Sequence, residues 1–306
     1  MHKNVLISGA SGLVGTRLTE MLMQKDYQIS HLSRTNKDGE IPVFQWNVKK
    51  GTIDEHAMQG VDSIIHLAGA GIADKPWTAA RKKEILESRT QSTELLYNAL
   101  KERTHQVKTF VSASAIGYYG YSGSDKVFDE ESEPADDFLA DVVKQWEASV
   151  DKIASLGIRV VKVRIGILLS EKGGALAELV KPIKWGVGSP LGSGTQYMSW
   201  IHIDDVCQIF IKALEDEKIN GAYNAVGPNP ATNKEITEAI ARVLKKPLWL
   251  PNVPSFILKL ILGEMADLVI KGSKVSSLKI ESTGFQFRFP EIDNALLNLL
   301  LKKENS

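Results

Sequence analysis

The chain has 306 residues, and its 37 basic and 37 acidic side chains leave no formal net charge. That balance argues against nucleic acid or an anionic membrane surface as the main partner. The single cysteine, Cys207, excludes a disulfide framework or a cysteine-based metal site and reads as a core thiol, and the six histidines lack helical ligand spacing, so no metal is expected.

The first apolar run, Asn4-Val-Leu-Ile-Ser8, breaks into Gly9-Ala-Ser-Gly12-Leu-Val-Gly15. A buried parallel strand that turns abruptly into a helix, and lets a diphosphate approach its backbone, needs positions without a Cβ. Gly9 and Gly12 supply that room, and Gly15 lets the helix pack closely on the strand. The predicted helix spans about 13–25, and the N–H groups around Ser11, Gly12, Leu13 and Val14 would face the phosphates. Further strands are predicted at 27–32, 42–46, 63–67, 108–113 and 159–165, with helices at about 78–103 and 136–156 between them. This alternation is the pattern of an α/β fold, a Rossmann-type doubly wound parallel sheet, over residues 1–168. Ligands bind such sheets at the carboxyl ends of the strands, here after Ser8, Leu32, Leu67 and Ser112.

At the end of the second strand an NAD site normally carries a carboxylate, whereas a 2′-phosphate needs a cation. The chain reads Leu32-Ser33-Arg34-Thr35-Asn36-Lys37. Arg34 offers a charged planar fork, with Ser33 and Lys37 as helpers, so NADP(H) is favoured over NAD(H). The alternative is that Arg34 is solvated and Asp38 or Glu40 reaches the ribose.

Beyond residue 168 the glycines at 173, 174, 186, 188, 192 and 194 crowd a loop-rich stretch. Helices follow at about 233–245, 254–271 and 291–302. Residues 169–306 therefore read as a smaller substrate-side α/β region interleaved with the first domain. The chain enters its first strand by residue 4 with no room for a leader, and the run Phe256 to Leu262 is far short of a membrane span, so no membrane partner and a cytoplasmic protein are expected.

The glycine turn, His66-Leu-Ala-Gly69 and Trp200-Ile-His202-Ile-Asp204-Asp205-Val206 resemble the extended, epimerase-like branch of the short-chain dehydrogenase/reductase superfamily. Longer segments resemble a subfamily labelled NAD-dependent epimerase/dehydratase or nucleoside-diphosphate-sugar epimerase: Ala68–Trp77, Glu87-Ser-Arg89, Ser112–Gly120, Phe138–Asp141, Trp146-Glu147 and Gly284–Pro290. The resemblance implies that Leu67, Ala68 and Gly69 line the ribose and diphosphate by backbone contact. It places Arg164 at the cofactor and pocket wall, and Gln196, Ser199, Trp200, His202 and Asp205 where substrate is bound or its pocket braced. His202 is open to two roles, general base or hydrogen-bonded framework.

In active members of the superfamily a serine polarises the substrate oxygen, and a tyrosine paired with a lysine four residues on transfers the proton. Ser114 is the better serine match, ahead of Ser112. The pair is missing: the tyrosine site holds Leu139 and the lysine site Val143, with Lys144 one residue out of place. A substitute acid built from Tyr118 or Tyr119 with Ser114 is one reading; the other is that both tyrosines simply pack. The basic excess between Ala70 and Arg89 (Lys75, Arg81, Lys82, Lys83, Arg89) either attracts an anionic substrate or is the wet face of a helix. Three functions remain: an NADP(H)-dependent oxidoreductase acting on a small carbonyl or hydroxyl compound, a non-catalytic NADP(H) sensor, and a nucleotide-sugar epimerase. Monomer and homodimer both stay open, because Lys101, Glu102, Arg103 and Lys152 keep the dimer-forming helices of the family polar.

Overall fold

The computed structural model describes residues 4–35, 39–121 and 126–301, so Asn36, Lys37, Asp38 and Lys302 lie outside the described residues. Strand β1 (Asn4–Ser8) carries Val5, Leu6 and Ile7, each almost fully buried. Such a run suits a parallel strand covered on both faces. It lies between β2 (Gln28–Ser33) and β5 (Ser63–His66), parallel to both. Outward from β2 come β3 (Val43–Asn47) and the short antiparallel edge β4 (Thr52–Ile53); outward from β5 come β6 (Thr109–Ala115), β7 (Arg159–Ile165) and β8 (Gly221–Ala225). The eight-stranded order is β8-β7-β6-β5-β1-β2-β3-β4. The chain runs outward from β1 on one side, then crosses to β5 on the other, so the strand order reverses between β1 and β5. In open α/β sheets that reversal opens the ligand crevice.

Helices cover both faces. The first, α1 (Leu13–Met23), follows the glycine turn; α2 (Ala79–Glu102) starts at Thr78, whose side chain accepts the Arg81 N–H, and α3 (Phe138–Asp151) starts at Asp137, which caps Ala140. The strands expected from sequence match these to within two residues. Other elements, among them β4, β8 and two helices, carry no expectation. Between Ala175 and Lys184 the chain forms α4, and Ile203–Glu215 forms α5, with Ile203, Val206, Cys207, Phe210, Ile211 and Leu214 on one buried stripe. α5 packs on α1, and β8 extends the sheet beside β7, so residues after 168 are woven into the first half.

The helix expected over 254–271 is three pieces, Ser255–Leu262, a 3₁₀ turn Gly263–Ala266 and Asp267–Ile270. Gly263, at φ +58°, ends the first piece, a left-handed conformation that glycine adopts without steric cost. Helix α6 (Asn233–Leu244) opens with a reciprocal cap between Thr232 and Glu235 and receives the C-terminal helix Ile292–Leu301. Among the described residues no helix is long and apolar enough to cross a membrane, and no group of acidic, histidine or cysteine side chains is placed to hold a metal.

Candidate functional site

The glycine turn stands at the reversal point. Gly9 has φ +73°, and a Cβ there would lie 2.7 Å from the Leu67 carbonyl carbon and 2.8 Å from the Ala68 nitrogen. The turn and the Leu67-Ala68 backbone are thus in direct contact across the β1/β5 crevice. A Cβ on Gly15 would meet the Gly9 carbonyl oxygen at 2.4 Å, so the absence of that atom sets how closely α1 approaches the turn. The α1 N-terminus has no side-chain cap and no acidic residue in its first turn. The Gly12 N–H is spent on Gly9 and the Thr16 N–H on Gly12, while Leu13, Val14 and Gly15 have no amide acceptor among the described residues. Ser11 and Gly12 are exposed beside them. Unpaired amides at the positive end of a helix fit a diphosphate. At the end of β2, Ser33 accepts the Thr35 N–H at 3.3 Å, and Arg34 is exposed with no carboxylate partner among the described residues.

Beneath the crevice His66 is fully buried between two hydroxyls. Ser8 Oγ lies 2.6 Å from Nδ1 and Ser92 Oγ 3.1 Å from Nε2, which ties β1, β5 and α2 together. Burial, helped by the charge of Arg89, pushes the imidazole down to about 3, so the ring is neutral.

The proposed serine and tyrosine acids meet a different fate. Alternation along β6 puts Ser112 and Ser114 on one face and Ala113 and Ala115 on the other. Ser114 is 3% exposed and its hydroxyl donates to Glu147 Oε1 at 2.6 Å. Glu147, on α3, also accepts from Arg164 Nε at 2.8 Å and Nη2 at 2.9 Å, and Lys162 Nζ stands 3.5 Å away. Burial raises the Glu147 carboxyl, but the Arg164 pair, Ser114 and Lys162 outweigh it, and the group sits below the usual carboxylate range. The third arm of Arg164 donates to the Tyr119 hydroxyl at 2.9 Å, which in turn donates to Asn224 Oδ1 at 2.8 Å. Tyr119 is 2% exposed and burial pushes its phenol up to about 12. Ser114 and Tyr119 are therefore parts of an internal network and offer no free proton. Arg164, expected at the cofactor, is likewise bound bidentately to Glu147 inside the protein. Tyr118 alone of the three proposed acids is half-buried, with the Arg164 guanidinium 3.7 Å from its ring centroid. Leu139 and Val143 face the loop after β6, since a Cβ on Gly117 would meet Leu139 at 3.5 Å and Val143 at 3.9 Å. Hydrocarbon fills the place of the tyrosine-lysine pair, and Lys144 turns away towards Asp136 at 4.0 Å.

The residues expected to bind substrate brace the frame instead. Gln196 Nε2 donates to the carbonyls of Leu191 and Val269. Ser199 donates to Ser273 O and accepts the Val275 N–H, and the buried Trp200 indole donates to Asn229 O. His202 caps α5 by accepting the Asp204 N–H on Nδ1 at 3.0 Å and stacks on Phe289 at 3.9 Å; burial pushes it down to about 4, against the pull of Asp204. Asp205 accepts the N–H groups of Arg288 and Phe289, and Asp204 pairs with Arg17. Most of these polar atoms are turned to neighbouring chain, and the contacts of Asp204 and Asp205 dock α1 and the C-terminal segment onto α5.

The basic stretch before and along α2 is mostly paired. Arg81 bonds Glu84 at 2.7 Å and the Gly71 carbonyl, Lys82 pairs with Glu264, and Lys83 stands 3.7 Å from Glu87. Arg89 is different: the sequence marks it as part of the basic run and of the segment Glu87-Ser-Arg89, without assigning it a role of its own.

A doubly wound sheet with an uncapped glycine turn at its reversal point defines a Rossmann-type protein. The chain belongs to the NAD dependent epimerase/dehydratase family, whose sequence pattern matches residues 5–227; residues 253–299 match a domain of unknown function, DUF1731. It is 35% identical to the epimerase family protein YfhF of Bacillus subtilis over 305 residues, 98% of this chain and 99% of that one. It is similar to a human epimerase family protein, SDR39U1, solved with NADPH: TM-score 0.86, 31% identity, 98% of this chain and 99% of the human one. MoeE5, solved with UDP-glucose and NAD, shares the fold at TM-score 0.77 and 18% identity over 97% of both chains.

Proposed function

We propose that this chain binds NADP(H) in preference to NAD(H) and acts as an atypical oxidoreductase on a small carbonyl or hydroxyl substrate, with Tyr118 as the proton carrier. The observation that carries the reading is the exposed Arg34 at the end of β2, with no carboxylate partner among the described residues, and the uncapped α1 N-terminus. A guanidinium fork there matches a 2′-phosphate, and first-turn amides match a diphosphate. The NADPH held by the human relative supports the same choice. A bound nicotinamide supplies or accepts hydride. The chain's own task is then to hold the substrate oxygen and move one proton, and Tyr118 is the half-buried hydroxyl that Arg164 positions at the end of β6.

A second reading, a non-catalytic NADP(H) sensor, is favoured by the hydrocarbon at Leu139 and Val143 and by the engagement of Ser114 and Tyr119. Calorimetric titration with NADPH and NADH, followed by a panel of aldehydes, ketones and nucleotide sugars read at the absorbance of the reduced nicotinamide, separates the two. Turnover lowered in Tyr118→Phe supports the oxidoreductase. Tight NADPH binding with no oxidation across the panel supports the sensor, and equal affinity for NADH sinks the NADP(H) assignment.

A further inference from the structure

We propose that Arg89 is an anion seat that receives the diphosphate of the bound dinucleotide at the backbone of Gly69, an assignment that rests on the cofactor reading above. Gly69 follows directly on Leu67 and Ala68, whose backbone touches the Gly9 turn. A Cβ on Gly69 would lie 3.3 Å from Arg89 Cζ and 3.5 Å from its Nε, so the missing side chain lets the guanidinium rest against the loop. Next along, the Ala70 N–H donates to Ser88 Oγ at 3.0 Å, which fastens the loop to the same turn of α2. The seat is therefore held from two sides at the crevice where α1 presents its free amides.

What marks Arg89 is the absence of a counter-ion among the described residues. Its Nη1 donates to the Ile85 carbonyl of its own helix at 2.8 Å, and its face lies 5.1 Å from the Trp146 ring. Nε and Nη2 have no acceptor among the described residues, yet they are not sealed from solvent. Its neighbours Arg81, Lys82 and Lys83 each have a carboxylate. A half-buried cation without an acid is costly. Burial and the charge of Arg81 push its guanidinium down to about 10. Two oxygens of one phosphate offer the bidentate acceptor that the planar fork of Nε and Nη2 lacks.

The test uses Arg89→Met, which keeps the aliphatic stem on Trp146, and Arg89→Lys, which keeps charge without the fork. Affinity for NADPH and for inorganic diphosphate is measured by calorimetry, and the melting temperature without ligand by circular dichroism. Arg89→Met is expected to bind NADPH roughly 10- to 100-fold more weakly, the loss of one charge-assisted pair. Arg89→Lys should fall between it and wild type, and inorganic diphosphate binding should weaken in parallel. Without ligand, Arg89→Met should melt at or above the wild-type temperature, because an uncompensated charge has been removed. Wild-type affinity for both probes in Arg89→Met overturns the proposal, as does a lower ligand-free melting temperature with affinity unchanged, the mark of a structural arginine. Failure of the cofactor reading shows separately, as wild-type protein that binds no NADPH.

Discussion

Glu147→Gln tests the buried network under the site. The carboxylate is 5% exposed and Arg164 4% exposed, with contacts at 2.6, 2.8 and 2.9 Å from Ser114 and the two guanidinium nitrogens. An amide of the same shape offers one acceptor oxygen and turns an NH₂ towards other donors. Arg164 is left as a buried charge without an acid, a loss of about 3–5 kcal/mol. At roughly 2 °C per kcal/mol for a long chain, the melting temperature should fall by about 6–10 °C. The double variant Glu147→Met/Arg164→Met should regain more than half of the loss, since removing both charges is far cheaper than removing one. The folded Glu147 carboxyl lies below its unfolded value of about 4.3, so its contribution is whole above that pH and is lost as the pH falls through the folded value. The gap between wild type and Glu147→Gln should therefore be full at neutral pH and close in strong acid. Circular dichroism melts across that range decide it; a fall of under about 2 °C at pH 7 would refute the claim that one carboxylate holds Arg164 in place.

Gly15→Ala should abolish NADPH binding and lower the melting temperature, because its Cβ would sit 2.4 Å from the Gly9 carbonyl oxygen and 2.6 Å from Ala10 Cα; wild-type affinity by calorimetry would contradict the close approach of α1. Arg34→Ala should weaken NADPH by roughly 10- to 100-fold while leaving NADH within about twofold, the loss of a charge-assisted phosphate contact. An equal loss for both cofactors would assign Arg34 to something other than the 2′-phosphate.

The cofactor end of this molecule is written locally, which is why it could be read. Strand, glycine turn and helix succeed one another within residues 4–23, and Arg34 follows at the end of the next strand. The catalytic end is not local. Spacing favours Ser114, but strand alternation gives its hydroxyl to Glu147, on a helix thirty-three residues on, and leaves Ala115 on the other face. Arg89 and Gly69 meet only because α2 folds back over β5. The segment Gly221–Ala225 has little hydrophobic pattern, and only the sheet beside it makes a strand of it. His202 shows an intermediate case: the sequence leaves it open between general base and hydrogen-bonded framework, and only the fold shows it as the N-cap of α5, two residues before Asp204.

Acid should weaken the fold through two buried histidines. His66 and His202 are buried to 0% and 1% exposure and lie at about 3 and 4, against roughly 6.5 in the unfolded chain. Their stabilisation is whole above pH 6.5. As the pH falls below that value the unfolded chain takes up protons that the folded one refuses, so stability drops by about 1.4 kcal/mol per unit for each ring. Between pH 6.5 and 4.5 each ring should cost roughly 2–3 kcal/mol. Carboxylates that burial raises, such as Asp205 and Glu130, act in the opposite direction near the lower end, so the comparison must be made against a variant. Urea unfolding of wild type and His66→Asn at pH 7, 5.5 and 4.5 isolates one ring, and the variant should show the shallower dependence. The His66 ring signals in NMR should stay flat down to pH 4.5. A midpoint near 6.5 would refute the argument, because it would mean that a charged ring between Ser8 and Ser92, facing the Arg89 cation, costs the protein nothing.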